Sequence, residues 1–365
     1  MEKRVVGYDL ARALAVIGMV FVNFKIAMHA SAADAQGWLR LFNAIDGRAS
    51  ALFVILAGVG LTLLSAGGRA ANDAARIRAD RLMLLKRAVF LFVAGLLYVQ
   101  VWPADILHFY GVYLLIGAAA LSWSGRALLA AAAAMVLGFA LLASYFNYEQ
   151  GWNWQTLVYA DFWSLPGFLR NLFFNGFHPV FPWAGFLLLG IALGRLDLRA
   201  PAVRARVFAA GLLLALASEA LVWWGAAHAG PGAGIWIVMW SAQPMPPLPV
   251  YWLAASGTAC AVIAACVAAG ERWRGARWLA PLVHTGQIAL TLYVAHVLVG
   301  MGVLDAVGRL ENQSFAFAVG SAALFCAAAV LFAHLWRLRF KLGPLEWLMR
   351  RSTSGFGGAP RAQGL

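Results

Sequence analysis

Apolar runs of about 20 residues, long enough to cross a hydrocarbon layer as helices, recur along the whole chain and are broken by short polar or basic loops. Ten are centred near Val20, Leu56, Ala94, Leu115, Val136, Leu188, Leu214, Ala261, Val294 and Leu324. The loops alternate in charge. One set holds Lys3 and Arg4; Arg69, Arg76, Arg78, Arg81, Lys86 and Arg87; Arg126; Arg195, Arg199, Arg204 and Arg206; Arg272, Arg274 and Arg277; then Arg337, Arg339, Lys341, Arg350, Arg351 and Arg361. The other set has Lys25, Arg40, Arg48, Arg170 and Arg309. Basic loops stay on the cytoplasmic side, so the alternation predicts both termini in the cytoplasm and an even number of spans, which ten satisfies. The expected fold class is all-α, a polytopic transmembrane helical bundle. The expected location is the cell's inner (plasma) membrane.

Composition agrees. Of 365 residues, 63% are hydrophobic and 12% charged, about half the charged share of a soluble domain. The formal charge of +13 follows the loops, so it is a topology signal with some attraction for lipid headgroups rather than a nucleic-acid site. Cys260, Cys266 and Cys326 all fall in apolar runs and match neither a disulfide framework nor a metal spacing. The first apolar run, followed by Ala30-Ser31-Ala32, imitates a secretory leader, but Asp9, Arg12 and Asn23 interrupt or border it and favour an uncleaved span. A single domain is expected over residues 1–351, with a functional core at 7–64, an aromatic outer loop at 145–179 and a flexible cytoplasmic tail at 352–365. Residues Gln243 to Pro249 read as extended polyproline.

Charged groups inside a bilayer span cost about 2.5–3.5 kcal/mol each at mid-depth, yet residues 7–64 hold Asp9, Arg12, Asn23, Lys25, His29, Asp46 and Arg48. Further polar groups stand at the expected outer ends of spans: Asp105 and His108, then His178. His296 lies near the middle of the ninth span. Histidines beside carboxylates suit general-base chemistry at neutral pH. Taken singly, a histidine at a span end more often packs at the wet interface. Glu219 reads equally as a pathway acid or an interhelical hydrogen bond. Asp9 and Arg12, one turn apart, can pair with each other, or Arg12 can grip a phosphate. No HxxxH, HExxH, Walker or dinucleotide pattern occurs, so no metal is expected.

Several stretches taken together resemble the YeiB-like DUF418 membrane proteins and the related heparan-alpha-glucosaminide N-acetyltransferase family. They are YDLARALAVIGMVFVN, AIDGRASALFVILAGVGL, DILHFYGVYLLIG, FHPVFPWAGFLLLGIALGRLDL, GQIALTLYVAHVLVG and GPLEWLMRR. The resemblance implies a transmembrane acyltransferase that takes an acyl group, as acetyl-CoA, from the cytoplasm and passes it to a sugar or amino-sugar acceptor at the outer face. Related first spans carry Arg, ten residues, then His; here Asn23 follows Arg12 at that spacing, as in the glucosaminide acetyltransferases. On this reading Arg12 meets the phosphates of acyl-CoA and Asn23 holds the thioester carbonyl or pantetheine amide. His29, oriented by Asp46, deprotonates the acceptor, and Arg48 orients it. His108 and His178 are alternative catalytic histidines, and His296 joins the donor-binding set. The implied partners are acyl-CoA, a sugar or glycan acceptor and membrane lipids, with a homodimer left open. The alternative is a small-molecule transporter, which would account better for His296 and Glu219.

Overall fold

A computed structural model describes residues 4–31, 33, 35–228 and 240–353. Most of the tail expected at 352–365, and residues 229–239 before the polyproline stretch, lie outside the described residues. Among the described residues the regular structure is helical apart from one pair of two-residue strands. The helices are α1 (Val6–Ala27), α2 (Arg48–Ala70), α3 (Ala74–Tyr98), α4 (Leu107–Ala120), α5 (Gly125–Tyr145), α6 (Leu165–Arg170), α7 (Val180–Leu193) and α8 (Pro201–His228). They continue with α9 (Pro249–Arg272), α10 (Ala280–Gln287), α11 (Ala289–Ala295), α12 (Gly302–Ala306), α13 (Phe315–Arg339) and α14 (Pro344–Thr353).

All ten apolar centres fall inside helices. Among the described residues, seven helices are long and apolar enough to cross a membrane, and the bent pair Leu165–Asn175 and Val180–Leu193 makes eight. The remaining two centres lie in α3 and α4. Arg76, Arg78, Asp80, Arg81, Lys86 and Arg87 crowd the first half of α3. Helix α4 has only 14 residues, about 21 Å at 1.5 Å per residue and shorter than the hydrocarbon core.

The chain forms two compact units. The first comprises Met1–Phe53, Leu198–Gly211 and Thr258–Arg351. Here α1 packs against α10, α11 and α13. Lipid tails are as apolar as leucine, so helices in a membrane associate by close packing, which favours small residues. Accordingly Ala11, Ala13 and Ala15 are fully buried. A Cβ on Gly7 would strike the Val267 backbone, and one on Gly286 would strike the backbone of Asp9. Helix α14 is tied in by Glu346, whose carboxylate accepts hydrogen bonds from the N–H groups of Leu290 (2.8 Å) and Thr291 (3.2 Å) and from the Thr291 hydroxyl (2.5 Å). A carboxylate distant in sequence thereby satisfies orphan donors at the start of α11. Burial pushes the Glu346 carboxyl up from its ordinary value, and the bonds from Thr291 and Leu290 pull it part of the way back.

The second unit comprises Val54–Asp197 and Leu212–Gly257. Helices α3 and α4 form a tight antiparallel pair, and α5 packs along α7. Helix α2 crosses α7 through facing glycines, since a Cβ on Gly58 would meet Leu187 and Ile191 while one on Gly190 would meet Ile55. Glycines at such crossings let helix backbones approach closely in a membrane. The aromatic loop contains the strand pair Trp152–Asn153 and Val158–Tyr159, joined antiparallel with Trp152 opposite Tyr159. Helix α6 then runs into a π-helical turn, Asn171–Asn175, and the chain bends by 47° into α7.

Gly286→Val is expected to cost about 3 kcal/mol through overpacking against α1. Gly320→Ala, where a Cβ meets nothing within 4 Å, should leave stability unchanged or slightly higher; thermal unfolding of the purified variants checks both. A carboxyl raised by burial binds its proton more tightly in the folded state. Its contribution to stability is therefore largest below about pH 4.5 and declines as pH rises towards the folded value. Glu346→Gln should remove that part of the pH slope of the melting temperature.

Candidate functional site

The first unit holds three polar clusters along α1. Near its start, Asp9 is 1% exposed and accepts from three directions: from Arg4 Nε (2.7 Å) and Nη2 (2.9 Å), and from Arg12 Nη1 (3.0 Å). Gln287 Nε2 reaches the same carboxylate at 3.4 Å, and Arg337 Nε donates to Gln287 Oε1 at 2.8 Å. One carboxylate thus organises a set of guanidiniums that keeps a net positive charge and can grip phosphate oxygens. Arg12 pairs with Asp9 and remains partly exposed. Arg4, Gln287 and Arg337 carried no local signal of this role. His284, whose ring stacks on His334 at 5.2 Å, belongs to the same neighbourhood. Burial, with His334 and Arg337 adding to it, holds its imidazole below the ordinary value.

Eleven residues beyond Arg12, the Asn23 amide nitrogen lies 2.8 Å from His296 Nε2, and both side chains are buried. His296 Nδ1 faces the Tyr293 carbonyl. A neutral ring protonated on Nδ1 satisfies both contacts, with Nε2 accepting from Asn23. His296 opens a π-helical segment, His296–Met301, a departure common at functional positions.

At the C-terminal end of α1 the structure corrects one expectation. Asp46 does not orient His29. It binds Lys25 Nζ at 2.6 Å, and the same ammonium donates to the Phe42 carbonyl at 3.0 Å. The lysine is 7% exposed, and a buried ammonium needs a counter-charge more than an exposed imidazole does. His29 is exposed in a left-handed turn (φ 50°), and its side chain makes no hydrogen bond to a described residue. Arg48 donates to the Ala44 carbonyl at 3.2 Å.

The second unit contains a buried carboxylate–histidine pair. Asp105 Oδ2 accepts from His108 Nδ1 at 2.9 Å and from the His108 backbone N–H at 3.1 Å, with both side chains at most 1% exposed. The carboxylate therefore caps the first turn of α4 and holds the imidazole with its proton on Nδ1. Nε2 is left bare, buried and unpartnered. A glycine at position 95 lets α3 close directly on the His108 backbone. His178 lies against the backbone of Asp105 with its Nδ1 buried and unpartnered, and its ring stands edge-on to Trp183 at 4.5 Å. The Tyr113 hydroxyl donates to the His178 carbonyl at 2.5 Å, a contact that local sequence could not announce. In the neighbouring loop Arg170 ties Tyr159 (2.7 Å) to Asp161 (2.6 Å), while Tyr159 donates to Asn175 at 2.8 Å. Among the described residues, no three of His, Cys, Asp and Glu gather as a metal site.

Fold and buried polar pairs together define an all-α polytopic membrane protein with polar chemistry enclosed among its helices. The family model described as heparan-alpha-glucosaminide N-acetyltransferase, catalytic, matches residues 4–229, and DUF418, a protein family of unknown function, matches residues 199–356. The first match covers more than half of the chain, which belongs to this acetyltransferase-related family. No curated protein matches it. Asn23, Asp105, His108 and His178 lie in the first matched region and His296 in the second.

Lys25→Met should destabilise the protein by on the order of 3 kcal/mol by stranding Asp46. Lys25→Met combined with Asp46→Leu should recover most of that loss, as read from thermal unfolding in a double-mutant cycle.

Proposed function

We propose that this protein is a membrane-embedded acyltransferase, acting as one domain of the inner (plasma) membrane. It moves an acyl group, most simply acetyl, from cytoplasmic acyl-CoA to a sugar or amino sugar at the outer face. The observation that carries this reading is the buried Asp105–His108 pair with its bare Nε2, inside the region matched by the acetyltransferase catalytic model.

Each role rests on geometry within one unit. In the first, Arg12 with Arg4 and Arg337 supplies guanidinium forks for the phosphates of acyl-CoA. Asn23, oriented by His296, offers its remaining amide N–H as a fixed donor to an amide carbonyl of the donor's pantetheine arm. In the second, His108 Nε2 takes the proton of the acceptor hydroxyl or amine as that atom attacks the thioester carbon. The C–S bond then breaks, and the proton passes from His108 to the departing thiolate. Asp105 holds the ring and stabilises the transient imidazolium. His178 positions the Asp105 segment. The catalytic histidine is thus assigned to His108 rather than His29, because His108 has the carboxylate partner that fixes its ring and leaves Nε2 able to accept a proton. Arg48 and the loop carrying Trp152 and Trp154 are left to orient a sugar.

One observation favours the alternative of a small-molecule transporter. The α6–α7 span is bent by 47°, and a second apolar stretch breaks between α10 and α11 at Ile288 (φ −120°, ψ 36°). Interrupted helices are how transporters expose backbone to a substrate.

Protein reconstituted in liposomes and supplied with labelled acetyl-CoA and an amino-sugar panel decides between them. His108→Ala should lower transfer by about 10²–10⁴-fold, Asp105→Asn should lower kcat, and Arg12→Gln should raise KM for acetyl-CoA. His29→Ala should stay within a few-fold of wild type. Absence of turnover with every donor and acceptor, together with uptake of a solute, would establish transport instead.

A further inference from the structure

The second unit holds a group of arginines that the proposed chemistry does not use. Arg69, in the last turn of α2, donates through Nη2 to the Thr62 carbonyl at 3.0 Å and through Nε to the Ser65 hydroxyl at 3.2 Å. Thr62 is also where the end of α7 is fastened. Its hydroxyl donates to the Ile191 carbonyl at 2.7 Å, and Gly194 lies so close that a Cβ there would stand 2.9 Å from Thr62 Cβ. Arg195 follows Gly194 directly, on the turn packed against Thr62, and the charge of Arg69 acts on its guanidinium. Arg195 reaches the Leu121 carbonyl with Nη2 at 3.4 Å, while its Nε is buried and unpartnered. Arg81 completes the rim, donating to the Ala118 carbonyl at 3.0 Å and the Ser122 hydroxyl at 3.2 Å.

Every partner of Arg69 and Arg195 among the described residues is therefore a neutral carbonyl or hydroxyl. Two partly buried guanidiniums held together without a carboxylate repel one another, and the repulsion is relieved by an anion that bridges them. Arginine forks match the tetrahedral oxygens of phosphate. A purely structural account, in which arginines cap the carbonyl ends of α2 and α4, explains the carbonyl contacts. It does not explain why two like charges converge or why a buried N–H stays unpaired.

We propose that Arg69 and Arg195, with Arg81 at the edge, form a binding site for a phosphate-bearing ligand. Two sources share that chemistry, an anionic phospholipid headgroup and the phosphates of a nucleotide-bearing acyl donor. Both arginines belong to the strongly basic loop set, on the side where either is expected. The site itself stands apart from the acyltransfer reading; only its assignment to the donor rests on that reading.

The test uses the full-length protein purified in detergent or in nanodiscs, with coenzyme A and phosphatidylglycerol as probes and phosphatidylcholine as the control lipid. Wild type should bind at least one probe, and Arg195→Gln or Arg69→Gln should weaken that binding about tenfold or more, with Arg195→Lys retaining part of it. Loss confined to coenzyme A names the donor, and loss confined to phosphatidylglycerol names the lipid. The ligand-free melting temperature of Arg195→Gln separates site from cap: it should hold or rise when like-charge repulsion is removed, whereas a cap predicts a fall. Equal binding of both probes by wild type and both glutamine variants would overturn the proposal, as would no binding by wild type. Arginine-dependent lipid binding in a protein inactive towards every acyl donor would remove the acyltransfer reading and leave this site standing.

Discussion

The cost of enclosing polar groups among apolar helices governs the rest of this structure. A buried charge or hydrogen-bonding group without a partner costs several kcal/mol, so each polar residue kept among the helices also fixes the position of another element. Asp9 draws Arg4 and Arg12 towards Gln287. Lys25 fastens the end of α1 to the segment that leads into α2. Asp105 holds both the backbone and the ring of His108. Glu346 binds the first turn of α11. The same pairings that make the fold specific leave a small set of polar atoms poised for chemistry.

Helix interruption is the second consequence. A broken helix within apolar surroundings frees backbone donors and acceptors that must be satisfied again. The break before α11 is met by the Glu346 carboxylate. The Asn171–Asn175 turn precedes His178, and the His296–Met301 turn begins at His296. Two of the candidate histidines thus sit where the regular hydrogen-bond ladder is disturbed, which frees side chains from the uniform spacing of a straight helix and lets them meet partners on other elements.

Close helix approach is what brings those partners within reach. Gly286 admits the backbone of Asp9, Gly95 admits that of His108, and Gly58 with Gly190 lets α2 and α7 cross almost in backbone contact. In each case a side chain at the glycine would push apart the elements that carry the polar pairs. Small residues here are a precondition of the site as much as of the packing.

Hydropathy and loop charge by themselves determined that this is an all-helical polytopic membrane protein, and located the helices, because burial in lipid demands long apolar runs whatever their order. The polar residues of α1, together with Asp105, His108, His178 and His296, were likewise legible, since polar groups stand out against an apolar background. Their pairing was not. Asn23 meets His296 across 273 positions, and Asp46 chooses Lys25 over His29, which is nearer to it in sequence. Only the tertiary structure decided these matters, because pairing depends on distances across helix interfaces and on competition for each buried carboxylate, neither of which is a local property of the chain.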